Sequence, residues 1–307
     1  MKNGFKNEKY YDVQPISLSS NLLDMADMLK NLKEPEISRL TNPNIGDFLY
    51  KGKLPFLENS FNLTPIPFIP YNLLQKLELV SEKQELDLNS FIDLNNYYLN
   101  NLNPFEIPIL FDSALDIEGG YCNPLYLGDN QKIKKLVFTE FIINSNFSIL
   151  TPGIYAHEVV HSQLEYNNSV DNYIHSEVLP IFFDKLTALY TDDNYETLNA
   201  NERLRFIRLF KAITNCKNKD LSTLEINKLS MGITSILEAE NLFDIYLYGT
   251  RNDKDAIISK VNDALLGNIQ VEDLLQSFDI TTENCQNKQL IKRHINNSVL
   301  MKGGNYV

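Results

Sequence analysis

Histidine and cysteine are scarce in this chain of 307 residues, which holds four of the first and three of the second. Cys122, Cys216 and Cys285 are odd in number, far apart and without a Cys-x-x-Cys pair. That excludes a disulfide framework and reads as reduced, buried thiols of a cytosolic protein. Basic residues are also few: 28 Lys and Arg stand against 40 Asp and Glu, a net charge of −12. A surface of that sign is not built to neutralise phosphates, which removes nucleic acid and anionic membrane from the expected partners. No run reaches the roughly 18 apolar residues that a membrane helix needs. The opening MKNGFKNEKYYDVQ has no apolar stretch of the kind a secretory signal carries. The expectation is a soluble cytoplasmic protein, although a leaderless export route leaves the same sequence. Neither a Gly/Ser linker nor an internal repeat divides the chain.

What is present is a 43% hydrophobic content, enough for a sizeable core. Amphipathic spacing predicts helices near 21–33, 71–80 and 88–102. The run PFLENSFNLTPIPFIP, from Pro55 to Pro70, sets four prolines among apolar residues and reads as an extended, packed connector. Strands are expected near 107–113 and 133–143, where β-branched and aromatic residues gather, with Gly119 and Gly120 in the loop between. Beyond residue 150 the pattern is helical: 152–166, 176–191, 201–215, 221–249, 252–265, 270–277 and 287–300. The fold class is mostly α (α+β), with one small central sheet.

Three of the four histidines, His157, His161 and His175, fall within nineteen residues. The segment SILTPGIYAHEVVHSQLEYNN contains His157-Glu158-Val159-Val160-His161, the His-Glu-x-x-His pattern. With histidine this rare, roughly 0.004 such pentapeptides are expected by chance. Thr151 and Pro152 signal a helix start. Residues four apart share a helix face, so both imidazoles can reach one ion, while Glu158 lies beside that stripe and can reach a water on the ion instead. Neutral imidazoles with a carboxylate suit zinc.

A catalytic zinc needs a third protein ligand and one open position. The metzincin extension would place glycine at 164 and histidine at 167, where this chain has Leu164 and Asn167. Glu165 shares the stripe but lies about 12 Å along the helix from His157, too far to converge. The segment DNYIHSEVLPIFFDKLTALY offers Glu177, with His175 and Asp184 as alternatives. Glu177 is the leading third ligand; it opens a second apolar helix with Pro180 in its first turn. Asp184, seven residues later, is suited to orienting a ligand histidine.

These residues resemble the gluzincin metallopeptidases, and most of all the thimet oligopeptidase and oligoendopeptidase F group. There a His-Glu-x-x-His helix is followed by a Glu that opens a helix with a nearby Pro and a second acid seven residues on. Gly119-Gly120-Tyr121-Cys122 and the strand 133–143 are similar to that group's glycine loop and substrate-side strand. Val160, Ser162 and Gln163 depart from its pattern, the spacing from His161 to Glu177 is shorter, and the chain is about half as long. The resemblance implies a zincin-like helical bundle with a metal cleft. Residues 106–307 would be the catalytic region and 1–105 a mainly helical region packed on it, together one compact unit. It also implies an oxyanion donor, a Tyr or His from a downstream helix, for which Tyr246 and Tyr248 are the candidates and His175 and His294 further options.

The function expected is that of a Zn2+-dependent peptidase, with a peptide or flexible protein segment as substrate, His157, His161 and Glu177 on the metal, and Glu158 as general base. Strand 133–143 could receive an extended peptide along its edge. Two alternatives accompany this. One is a single-target processing or toxin-like metalloprotease, since clostridial neurotoxin light chains carry a similar His/Glu signature. The other is a non-catalytic metal-binding or regulatory protein.

Overall fold

The computed structural model describes residues 60–62, the strand segments named below, 151–191 apart from 168 and 171–172, helical positions at 198, 201, 205, 208, 209 and 211–215, and 221–286. This part of the chain is mostly α. Helices α1 (Thr151–Tyr166), α2 (Val178–Thr191), α3 (Thr223–Tyr248), α4 (Arg251–Leu265), α5 (Val271–Ser277) and the short α6 (Thr282–Cys285) follow one another, with a 3-10 turn at Tyr173–His175. The helices expected near 21–33, 71–80, 88–102 and 287–300 lie outside the described residues.

Sequence pattern explains how each helix is used. In α1 the half-buried positions Ile154, His157, His161 and Glu165 recur every three or four residues and form one stripe, while Tyr155, Ala156, Val159, Val160 and Leu164 are buried. Helix α2 is predominantly apolar and is buried without a break from Val178 to Ala188, Asp184 and Lys185 included. Pro180 falls in its first turn, where the missing N–H leaves no bond unmade. Helices α3 and α4 are capped reciprocally. At α3 the Glu225 N–H donates to Ser222 Oγ (3.3 Å) while Ser222 N–H donates to Glu225 Oε2 (2.8 Å). At α4 Asp253 and Thr250 do the same (3.3 and 2.7 Å).

Helix α1 packs along α2, α2 packs on α3, and α3 also carries the 3-10 turn, α4 and α6. At the centre Phe182 meets Phe183 and Phe243 edge to face, with centroids 5.8 and 6.2 Å apart. Two residues from within the Pro55–Pro70 run reach these helices: buried Phe61 lies 4.6 Å from the Phe183 ring, and Asn62 N–H donates to Asn262 Oδ1 (2.7 Å). Close approach of α1 to α2 depends on Gly153, where a Cβ would stand 2.2 Å from Asp184 Oδ1.

Upstream, short backbone segments pair as strands. They are β1 (Ile109–Asp112), β2 (Gly120–Cys122), β3 (Leu125–Tyr126), β4 (Val137–Phe138) and β5 (Phe141–Asn144). Strand β5 runs parallel to β1, with Ile109 opposite Phe141, and antiparallel to β2, with Tyr121 opposite Ile142; β3 pairs with β4. Two expectations are corrected here. Within 133–143 the described residues belong to strands of two different sheets, β4 and the start of β5, and β5 has a neighbour on each side, which closes β5 to peptide addition. Gly120 sits within β2 rather than in a loop. Among the described residues no helix is long and apolar enough to cross a membrane.

Candidate metal centre

Two elements bring the site together. Helix α1 sets His157 and His161 one turn apart on its half-buried stripe. Glu177 precedes α2 rather than opening it: its carbonyl accepts the first helical bond, from Ile181 N–H (3.0 Å), which makes it the cap residue. Its side chain turns to the imidazoles instead of capping its own helix. His157 Nε2 lies 3.2 Å from Glu177 Oε2 and His161 Nε2 lies 3.3 Å from Glu177 Oε1, while the two imidazole nitrogens are 3.2 Å apart.

These edges bear on what the cluster can hold. Tetrahedral zinc, with bonds of about 2.0–2.1 Å, sets neighbouring ligand atoms about 3.3–3.4 Å apart. The imidazole–imidazole separation is within about 0.2 Å of that, each imidazole meets a different Glu177 oxygen at a similar distance, and one ligand atom from each of the three residues falls within 4.8 Å of the others. Two imidazole nitrogens facing each other can share one proton or meet across a cation. His157, His161 and Glu177 therefore fit a divalent ion with two imidazoles and a carboxylate. Glu177 is 40% exposed, so the cluster is open on that side.

Electrostatics tie the same three residues together. Burial alone would push the His161 imidazole down, but the charge and hydrogen bond of Glu177, with smaller help from Glu158 and Glu165, hold it up at about 9. Burial likewise pushes the Glu177 carboxyl up, and the His161 charge with hydrogen bonds from both imidazoles outweighs it, leaving Glu177 well below the usual carboxylate range. Glu158 is buried on α1 and near enough to His161 to act on it by charge.

The turn that delivers Glu177 is held from α3. Ser235 Oγ donates to the Ile174 carbonyl, and one turn later the fully buried Glu238 meets His175 Nδ1 at 2.7 Å. Thr282 Oγ1 donates to the other Glu238 oxygen (3.3 Å). His175 is thus an anchor of this turn and stands outside the three-residue cluster. Glu238 and Ser235 escape sequence reading, because 63 residues separate Glu238 from His175 and no local pattern links them.

Other candidates are corrected by their surroundings. Asp184 does not orient a histidine: its two oxygens take Asn201 Nδ2 (2.8 Å) and the Arg205 guanidinium. His157 Nδ1 is buried without a hydrogen-bond partner among the described residues. Tyr246 is buried in the aromatic core with its hydroxyl 2.9 Å from that of Tyr190. Tyr190 is thirteen residues beyond Glu177, about 20 Å along α2, farther than a tyrosine side chain reaches back. Tyr248 is 68% exposed at the far end of α3. Neither tyrosine joins the metal cluster. Glu165 stays on the α1 stripe outside the cluster, and His294 lies outside the described residues.

Next to Glu177 opens a cavity of about 500 Å³ between the start of α2 and the face of α3 that carries Met231, Gly232 and Ile236. No family model, curated protein or solved structure matches this chain.

Proposed function

We propose that the chain is a zinc-dependent peptidase acting on peptides or flexible protein segments, with His157, His161 and Glu177 as the metal ligands and Glu158 as general base. One observation carries the proposal: two imidazoles on the helix that also bears Glu158 and a carboxylate just ahead of α2 come together, one ligand atom of each within 4.8 Å of the others. In this reading the three-stranded sheet of β1, β5 and β2 is the small sheet beside a zincin-like cleft, 106–307 is the catalytic region, and 1–105 packs on it.

The bound ion supplies Lewis acidity to a carbonyl oxygen and lowers the pKa of a water towards neutrality. Glu158 takes the proton of the attacking water and returns it to the departing amine nitrogen. Glu158 is buried on α1, the helix that also carries both imidazoles. His157 and His161 bind as neutral imidazoles, so the proton that His161 holds in the metal-free site must leave on loading. Glu177 keeps the charge that draws the cation in.

Substitution of the base tests the proposal. Glu158→Gln is expected to retain one zinc per chain while cleavage of a mixed peptide pool falls by about 10²–10⁴-fold. Cleavage by Glu158→Gln at the wild-type rate would overturn it. Cutting confined to one sequence of the pool would mark a single-target processing or toxin-like enzyme. A tightly held ion without hydrolysis of any peptide would mark a non-catalytic metal-binding protein.

A further inference from the structure

Gly232 stands in the interior of α3 with helical backbone, where glycine costs about 1 kcal/mol relative to alanine. Its backbone does not require glycine, and neither does packing. A Cβ built on Gly232 meets nothing within 4 Å, whereas one built on Gly153 runs into Asp184. The open space beside Gly232 is the cavity of about 500 Å³ that Glu177 also lines. That size suits a small ligand or a large side chain. Ile181, Met231 and Ile236 give the space apolar wall, and Ser176 and Ser235 line it with small side chains. Arg205 also lines the space, but its charge is answered by buried Asp184. Lys228 is exposed and lies within reach of the Glu225 charge.

We infer that this cavity seats an apolar side chain of a peptide lying across the metal centre, and that bare Gly232 lets the seated chain come against the α3 backbone. The inference rests on the peptidase reading above. Because Glu177 lines both the cavity and the cluster, a residue seated here flanks the bond presented to the ion. The paired Arg205 leaves the walls without an uncompensated buried charge, which favours a neutral occupant over an acidic one.

The test uses fluorescein-labelled hexa-alanine peptides in which Phe, Leu or Gly replaces each alanine in turn. Their binding to zinc-loaded, full-length Glu158→Gln protein is read by anisotropy, alone and with Gly232→Ala or Gly232→Leu added, beside thermal unfolding. At one peptide position Phe or Leu should bind at least about tenfold tighter than Gly. Gly232→Leu should erase that preference. Gly232→Ala should narrow it while raising Tm by about 2 °C, a split that a merely structural glycine would not give. If Gly232→Leu does not fold, Gly232→Ala carries the test alone. A preference unchanged by either substitution, no preference for apolar side chains, or no binding of any peptide would overturn the assignment. Failure of the two readings can be told apart. A wild-type protein that cuts nothing, beside Glu158→Gln protein that shows the Gly232-dependent preference, sinks catalysis and leaves the cavity assignment standing. Cutting that ignores Gly232 does the reverse.

Discussion

His161 and Glu177 hold each other in the charged state, and a zinc ion must undo half of that arrangement. Zinc binds the neutral imidazole, yet without metal His161 keeps its proton up to a pH of about 9. Apparent zinc affinity should therefore rise by about tenfold per pH unit between the ordinary histidine value and about 9, and level off above it. Chelator competition across that range would check this; an affinity flat from pH 6.5 to 9 would contradict it. The sign reverses for the metal-free fold. A raised histidine pKa adds stability that is complete below about 6.5 and is lost as pH rises through about 9. The depressed Glu177 adds stability above the ordinary carboxylate range and loses it as pH falls below. At this scale the cluster was legible in sequence where spacing is local. Four residues on a helix fix the His157–His161 pair, and Glu177 follows close behind. Tyr246 and Tyr248 were misread because chemistry by residue type says nothing of depth. One hydroxyl is engaged by Tyr190 and the other tyrosine faces solvent.

Between elements, α2 is fastened to its neighbours by two buried charges that its apolar sequence does not lead one to expect. Lys185 pairs with Glu240 of α3 and lies 4.6 Å over the Phe243 ring, and both charged side chains are almost fully buried. Removing one partner should be costly: Glu240→Leu is expected to lower unfolding free energy by about 3–5 kcal/mol, because Lys185 is left charged in the core. Lys185→Met combined with Glu240→Leu should recover most of that loss. Urea unfolding of the three variants would show it, and a double variant no better than the single one would contradict it. The two glycines give opposite expectations. Gly153→Ala, despite better helix propensity, should destabilise by about 1–3 kcal/mol, since Asp184 is held by Arg205 and Asn201 and cannot retreat. The same unfolding measurement checks it; an unchanged or raised midpoint would contradict it. Helix extents were readable to within two residues for α1 to α5, because apolar period and capping residues are local. The strands were less so. The run 133–143 looks continuous, yet its described pieces, Val137–Phe138 and Phe141 onward, pair with different partners, and that depends on contacts far away in sequence.

For the whole molecule, helices from one stretch of chain build a core around α2, and the stripe that α1 leaves half-buried becomes the site. The anchoring of that site is long-range. Ser235 and Glu238 of α3 hold the turn that presents Glu177, and α6 steadies Glu238 through Thr282. No single-sequence pattern reports such a tie, which is why the ligands were foreseeable and their supports were not. The net charge of −12 fits attraction of a cation better than recognition of a phosphate backbone. The most direct test of the central claim, an open zinc site on His157, His161 and Glu177, is the zinc K-edge absorption spectrum of the stoichiometrically loaded protein. The expected spectrum has two imidazoles, one carboxylate and one further light atom, with bonds of about 2.0–2.1 Å. That further atom should be exchanged by an added small anion. A sulfur neighbour at about 2.3 Å, a fourth protein ligand, or the spectrum of hydrated zinc would contradict it.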